Sequence, residues 1–226
     1  MDDLEWFSIL ERCLKGNIDD HLEQFSMALE SSVMRIYHGC RTEDAGIYFR
    51  NGLLPHDQAI LEQRLEAILA RHPELEVFRA NFEQRINNIG EIDKGCLYGV
   101  IDDTCLLERA AHYLIYGSEW LCAVLREDGR HVLKEIGAPT LLEVDLPLYL
   151  ASKSDRRELA CALFTEWTRQ VCNKPTQHHQ IDFTFAIHSS IPSSCIVGHR
   201  HPKTLIDPLS GYRSYVSPVT YCAYCA

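Results

Sequence analysis

Residues 36–55 read IYHGCRTEDAGIYFRNGLLP and are the most informative segment of the chain. An alternating pattern at its start predicts a strand that delivers His38 to its end. Gly39 follows, so a ligand can approach the backbone closely there. A short helix is predicted over 43–51, and Gly52 ends it. The segment therefore predicts a strand, a turn and a returning helix.

Two further strands are predicted downstream. Residues 96–101 predict the first, and a helix that begins at Asp102 or Thr104 runs from it to about residue 126. Residues 181–187 show the clearest alternation of apolar and polar side chains and predict the second. The remaining predicted elements are helices over 2–14, 20–30 and 155–172, a helical hairpin over 57–88 that Pro73 interrupts, and short strands over 141–148 and 195–198. This irregular interleaving predicts an α+β domain and not a doubly wound parallel sheet.

The composition is that of a globular protein. The chain has 226 residues, of which 46% are hydrophobic and 24% are charged, and these values exclude a disordered, collagen-like or coiled-coil protein. The 22 basic and 32 acidic residues give a net charge of −10. This charge argues against a protein held on nucleic acid by its overall field, but it leaves room for a local basic groove.

The sequence also predicts a location. No stretch approaches the roughly eighteen apolar residues that a membrane span needs, and the acidic N-terminus has no apolar signal region. Ten cysteines without an export signal are expected to be reduced thiols. We therefore expect a cytoplasmic protein that makes no contact with a membrane.

The segment over 36–55 resembles the opening of the ADP-ribosyltransferase fold, which poly-ADP-ribose polymerases and diphtheria-type toxins share. That family opens with a strand ending in His-Gly-Thr or His-Gly-Ser, followed by a helix and Gly-Leu. His38, Gly39 and the pair Gly52-Leu53 match this pattern, and Cys40 stands where the family has Thr or Ser. The resemblance implies that His38 binds the ribose of NAD. It also implies that the backbone at Gly39 pairs with the nicotinamide amide.

Residues 95–102 and the helix after them are similar to the second motif of the family. There, two tyrosines stack on the two faces of the nicotinamide ring, which suits a flat cationic ring. The resemblance implies that Tyr98 and Tyr113 are this pair and that Tyr98 belongs with His38 to the catalytic residues. Tyr116 is the alternative to Tyr113.

The third motif of the family is a carboxylate on a later strand, usually Glu and sometimes Asp. A negative charge is needed there because positive charge develops on the ribose as nicotinamide leaves. Residues 181–187, with the Ile-Pro-x-x-x-Ile ending over 191–196, resemble this strand, which offers Asp182 and Thr184. Asp182 is the first candidate. Glu119, on the helix that follows Tyr113, is the rival.

The resemblance implies a split, mixed or antiparallel sheet of the ADP-ribosyltransferase type, in the His-Tyr-Glu or His-Tyr-Asp group, with inserted and N-terminal helices. We expect one domain over 1–226, with N-terminal helices in 1–30, a helical insertion in 57–90 and a catalytic core in 31–56 and 91–226. The implied activity is mono-ADP-ribosyl transfer from NAD to a protein or nucleic acid, as in a bacterial toxin or defence effector with a protein partner or antitoxin. The alternatives are an inactive NAD- or ADP-ribose-binding module and an NAD glycohydrolase.

Four residues near the C-terminus form a possible metal set. Two imidazoles, His199 and His201, and two thiols, Cys222 and Cys225, are the ligand types of a tetrahedral zinc site. Their spacing is loose, and His-x-His is not a zinc-finger signature. The sequence therefore predicts no metal.

Overall fold

The computed structural model describes residues 5–55, 58–88, 95–171 and 181–226. The predicted element boundaries at residues 2, 57 and 172 lie outside these ranges. The helices are α1 (Glu5–Cys13), α2 (Ile18–Leu29), α3 (Gly46–Asn51), α4 (Gln58–Arg71), α5 (Arg79–Asn88), α6 (His112–Tyr116), α7 (Glu119–Gly129) and α8 (Lys153–Val171). The strands are β1 (Val33–Thr42), β2 (Leu97–Val100), β3 (Ala138–Pro147), β4 (Thr184–Ile187), β5 (Ile196–Arg200), β6 (Thr204–Asp207) and β7 (Arg213–Val216).

The described strands form a five-stranded sheet in the order β4-β2-β1-β3-β5 and a separate β6–β7 hairpin. All pairings are antiparallel. The β1–β3 ladder runs from Val33 opposite Pro147 to Thr42 opposite Ala138. The β1–β2 pairing, in contrast, consists of Tyr37 opposite Val100. The mixed α+β class predicted from the sequence is confirmed.

The five-stranded sheet separates two apolar cores, because alternate residues of a strand face opposite sides. On one side, Val100 of β2 and Leu141 of β3 pack with buried residues of α4 to α7, Trp120 among them. On the other side, Ile36 and the next β3 residue, Leu142, pack with α2 and α8. The sheet is therefore covered by helices on both faces.

Two predicted elements differ from the structure in their extent. The strand predicted over 181–187 begins only at Thr184, so Asp182 precedes β4. The helix predicted from Asp102 or Thr104 to 126 is divided into a π-helical turn, α6 and α7. Its main break lies at Gly117, which has a φ of 84° that L-residues rarely adopt. The Ser118 side chain then caps α7 by accepting from the Leu121 amide.

No helix in the described part of the chain combines the length and the apolar character needed to cross a bilayer.

Candidate functional site

A cleft of about 760 Å³ opens where β1 and β2 separate. Its walls are the end of β1, α3, α4, β2 and α6. This volume lies within the range of small-molecule and cofactor sites, about 300–1,000 Å³. Four of the residues predicted to bind NAD line it together: His38, Gly39, Tyr98 and Tyr113.

His38 stands at the point where the two strands part. No β1–β2 pair follows Tyr37–Val100 among the described residues, and the Tyr98 carbonyl instead lies 2.8 Å from His38 Nδ1. A carbonyl only accepts, so Nδ1 carries the proton and donates it. Burial lowers the pKa of His38, and the bond to the Tyr98 carbonyl offsets part of that shift. The ring is therefore neutral at neutral pH, and Nε2 is an acceptor for a hydroxyl group.

Gly39 is closely packed on its helix side. A Cβ added there would lie 3.2 Å from Leu106 Cδ2 and 3.4 Å from the Tyr113 Cβ. A glycine at this position thus lets α6, and Tyr113 with it, approach β1.

The pair Gly52-Leu53, which ends the first motif, contacts Ile191 at the end of the third motif. Leu53 and Ile191 exchange two backbone hydrogen bonds of 2.9 Å each. Gly52 has a φ of 75°, and a Cβ added there would lie 2.1 Å from the Ile191 carbonyl oxygen. The exit of α3 is therefore fixed against the Ile191-Pro192 segment.

Tyr113 connects the cleft to a carboxylate. Its hydroxyl donates to Glu119 Oε2 at 2.6 Å, and its ring lies 4.2 Å from that of His112. Glu119 does not line the cleft itself. It is partly buried at the first position of α7, behind the tyrosine.

Tyr116, the alternative to Tyr113, also lines the cleft but is buried in the hydrophobic core. Its hydroxyl donates to the buried Asp207 at 2.7 Å, and burial raises its pKa. Lys134 pairs with the same carboxylate at 3.1 Å. These contacts hold the β6–β7 hairpin against α6, which leaves Tyr113 as the better candidate for stacking.

The first candidate for the carboxylate, Asp182, is not among the residues that line the cleft. It is about half exposed and forms a 2.8 Å ion pair with Arg109. Thr184 lines the cleft at the β4 edge. Among the described residues that line the cleft, the acidic one is Glu43, which pairs with Arg71 at 3.3 Å.

The contribution of α4 was not predicted from the sequence. Arg64 and Arg71 of this helix line the cleft, beside the apolar Ile60 and Ile68. A third arginine, Arg41, also lines it, and its Nε and Nη2 donate to the carbonyls of Ile136 and Lys134. The cleft of this acidic chain is thus locally basic. The signal in the sequence for the cleft-facing side of α4 is the helical spacing, close to 3.6 residues, that places Arg64 and Arg71 on the same side as Ile60 and Ile68.

Cys40, at the position where the resemblance expects Thr or Ser, is not a nucleophile. Burial raises its pKa to about 12, and its Sγ lies 3.5 Å from the Thr140 carbonyl. It is a protonated thiol in a packed position.

No protein family model, curated protein or solved structure matches this chain.

Proposed function

We propose that this protein is an NAD-dependent ADP-ribosyltransferase whose site is the cleft between β1 and β2. One observation carries the proposal: His38 and Gly39 from one motif and Tyr98 and Tyr113 from another line the same cleft. The strands of the three motifs, β1, β2 and β4, are also neighbours in the sheet. This order supports a split sheet of the ADP-ribosyltransferase type.

Three parts of NAD have a matching group in the cleft: the nicotinamide ring, a ribose and the diphosphate. Tyr98 and Tyr113 offer aromatic faces for the nicotinamide ring. His38 Nε2 accepts a hydrogen bond from a ribose hydroxyl. Arg64 and Arg71 supply positive charge for the diphosphate, for which guanidinium is well suited.

The reaction breaks the bond between the ribose C1′ and the nicotinamide nitrogen. Nicotinamide leaves with the electron pair, positive charge develops on the ribose, and a nucleophile on the acceptor attacks C1′ and loses its proton. Nicotinamide is released neutral because its ring nitrogen was cationic in NAD. We assign the stabilising negative charge to Glu119, because it accepts a hydrogen bond from Tyr113, which lines the cleft, whereas Asp182 is paired with Arg109 on the surface.

A second candidate function is an NAD- or ADP-ribose-binding module without catalysis. The position of Asp182 outside the cleft favours it, because the first candidate for the third motif is then not available to the ribose.

The test is to incubate the purified chain with NAD and to measure nicotinamide release, with and without a cell lysate as acceptor. We expect release, together with transfer of the label from NAD labelled in the adenylate part to a macromolecule. His38→Ala and Tyr113→Ala are expected to abolish both, and His131→Ala, at an exposed position outside the cleft, serves as the control. Release without transfer would assign NAD glycohydrolysis. NAD binding without release would assign the binding module, and no binding would refute the site.

A further inference from the structure

The fold brings together four metal-ligating side chains outside the cleft. His199 lies in β5 and His201 follows that strand. Cys222 precedes the 3₁₀ turn Ala223–Cys225 near the C-terminus, and Cys225 is its last residue. One ligand atom from each residue lies within 4.8 Å of all the others. This juxtaposition reverses the prediction made from sequence spacing, since the fold brings together pairs that lie more than twenty residues apart.

We propose that His199, His201, Cys222 and Cys225 bind one Zn²⁺ ion. Zinc takes Cys₂His₂ sets in tetrahedral geometry, with Zn–S near 2.3 Å and Zn–N near 2.0–2.1 Å, so the edges of the tetrahedron measure about 3.8 Å for S···S and about 3.6 Å for S···N. Here the two Sγ atoms are 3.8 Å apart. Cys225 Sγ is 3.1 Å from His199 Nε2 and 3.4 Å from His201 Nε2. These three distances match edges of a zinc tetrahedron to within about half an ångström, and the other three pairs of ligand atoms lie within 4.8 Å.

The groups behind the ligands support the same assignment. His201 Nδ1 lies 2.9 Å from the Pro139 carbonyl, so Nδ1 carries the proton and Nε2 presents its lone pair to the cluster. Ligating histidines are typically held in this way. Cys222 is buried, and its Sγ accepts a 3.4 Å hydrogen bond from the Ala45 amide. That bond stabilises a thiolate, the form that binds zinc.

Four protein ligands fill a tetrahedron and leave no open position, so the site is structural and not catalytic. When zinc binds, both thiols release a proton to solvent and the two imidazoles bind as neutral ligands. Soft thiolates with imidazoles in this geometry select zinc over Mg²⁺ or Ca²⁺, which take oxygen ligands.

The ion would fix the C-terminal turn against the cleft wall. The Ala223 amide donates to the Glu43 carbonyl at 2.9 Å, and the Tyr224 ring stacks on Phe49 of α3 at 5.0 Å. The opposite side of α3 supplies Ile47 and Tyr48 to the cleft. Zinc therefore joins β5, the C-terminal turn and α3 into one unit. This inference does not depend on the proposed function.

The test is metal analysis of the tag-free, full-length chain, dialysed after incubation with zinc. We expect one zinc per chain. After Co²⁺ replaces zinc, we expect the absorption spectrum of a tetrahedral Co²⁺ site with thiolate ligands. Cys225→Ser is expected to hold no zinc; this cysteine is exposed, so the variant should fold, which circular dichroism checks. Cys13→Ser changes an exposed thiol on α1 and should retain one zinc. A wild type that keeps no zinc, a Cys225→Ser variant that keeps it, or an octahedral Co²⁺ spectrum would each overturn the proposal, independently of any NAD activity.

Discussion

The Tyr113 hydroxyl and the Glu119 carboxylate lie 2.6 Å apart, across the break that separates α6 from α7. The break itself depends on Gly117 and on the Ser118 cap. The tyrosine faces the cleft and the carboxylate lies behind it, so one short bond connects the proposed ring-stacking group to a negative charge. This relationship ranks the two carboxylate candidates.

We predict that Glu119→Gln reduces nicotinamide release far more than Asp182→Asn does. Loss of a preorganised charge costs about 3–4 kcal/mol, or roughly a hundred- to a thousandfold in kcat. The amide that replaces the carboxylate still offers an oxygen to the Tyr113 hydroxyl, so the affinity for NAD should be retained. Asp182→Asn breaks only a surface ion pair, and such pairs contribute at most about 1 kcal/mol.

The measurement is steady-state kinetics together with NAD binding for both variants. Tyr113→Phe separates the effect of the Glu119 charge from the effect of its hydrogen bond to Tyr113, because the variant keeps the ring and removes that bond. If Asp182→Asn proves the more damaging change, the catalytic carboxylate is Asp182 and the assignment to Glu119 is wrong.

The arginines of α4 predict that the affinity for NAD depends on its diphosphate. Arg64→Gln should weaken NAD binding about tenfold, because a charged hydrogen-bond donor to phosphate is lost. Binding of nicotinamide riboside, which has no phosphate, should not change. Arg50 is an exposed arginine that pairs with Asp44 and does not line the cleft, so Arg50→Gln is the matched control. Titration calorimetry measures the affinity for NAD and for nicotinamide riboside. An equal loss of affinity for the two ligands would refute a diphosphate contact.

His38 predicts a pH dependence of stability. Its pKa in the folded protein lies below the ordinary value of 6.5, chiefly because of burial. Between these two values the unfolded chain binds more protons, so the free energy of unfolding rises with pH through this window. The stabilisation is complete above about pH 6.5 and is lost as the pH falls towards the folded pKa.

His38→Asn should therefore flatten this part of the pH profile in urea titrations, whereas His131→Asn should leave it unchanged. A wild-type slope that persists in His38→Asn would assign the effect to another group.

Gly52 predicts a large loss of stability on substitution. Gly52→Ala would place a Cβ 2.1 Å from the Ile191 carbonyl oxygen, at a backbone conformation that costs an L-residue about 1–3 kcal/mol before any clash. Gly211 has a φ of 66°, and no atom of the described residues lies within 4 Å of a Cβ added there, so Gly211→Ala should cost about 1–2 kcal/mol. Urea unfolding of Gly211→Ala measures the cost of backbone strain alone, and urea unfolding of Gly52→Ala measures the cost of backbone strain together with the steric clash. Equal losses would show that the contact with Ile191 adds nothing.

The sequence predicted those features that depend on local pattern. Alternation located β1, and the spacing of apolar residues located α8, because both signals lie within a single element. The same patterns do not show at which residue the hydrogen bonding between strands begins. Asp182 was therefore predicted to lie in a strand, but β4 starts only at Thr184. Nor do they show that Gly117 would break the helix before α7.

The candidate site was predictable to the extent that the residues lining the cleft occur in contiguous motifs. His38, Gly39, Tyr98 and Tyr113 met that condition. Arg64 did not, because a cation on a polar helix face has the same pattern whether it borders a cleft or solvent. The four proposed zinc ligands were recognisable by residue type, but their spacing in the chain predicted no metal, since only the docking of the C-terminal turn beside β5 brings them together.

The long ladder between β1 and β3 has a consequence for the order of events during synthesis. Its partners are far apart in the chain; Arg35 and Asp145, for example, are separated by 110 positions. On the ribosome, β1 has no β3 to pair with until residues 138–147 have emerged, while α4 to α7 already have local partners. Closing so large a loop places the chain among slowly folding topologies. For that interval the nascent polypeptide exposes an unpaired central strand, the kind of edge that chaperones shield from aggregation.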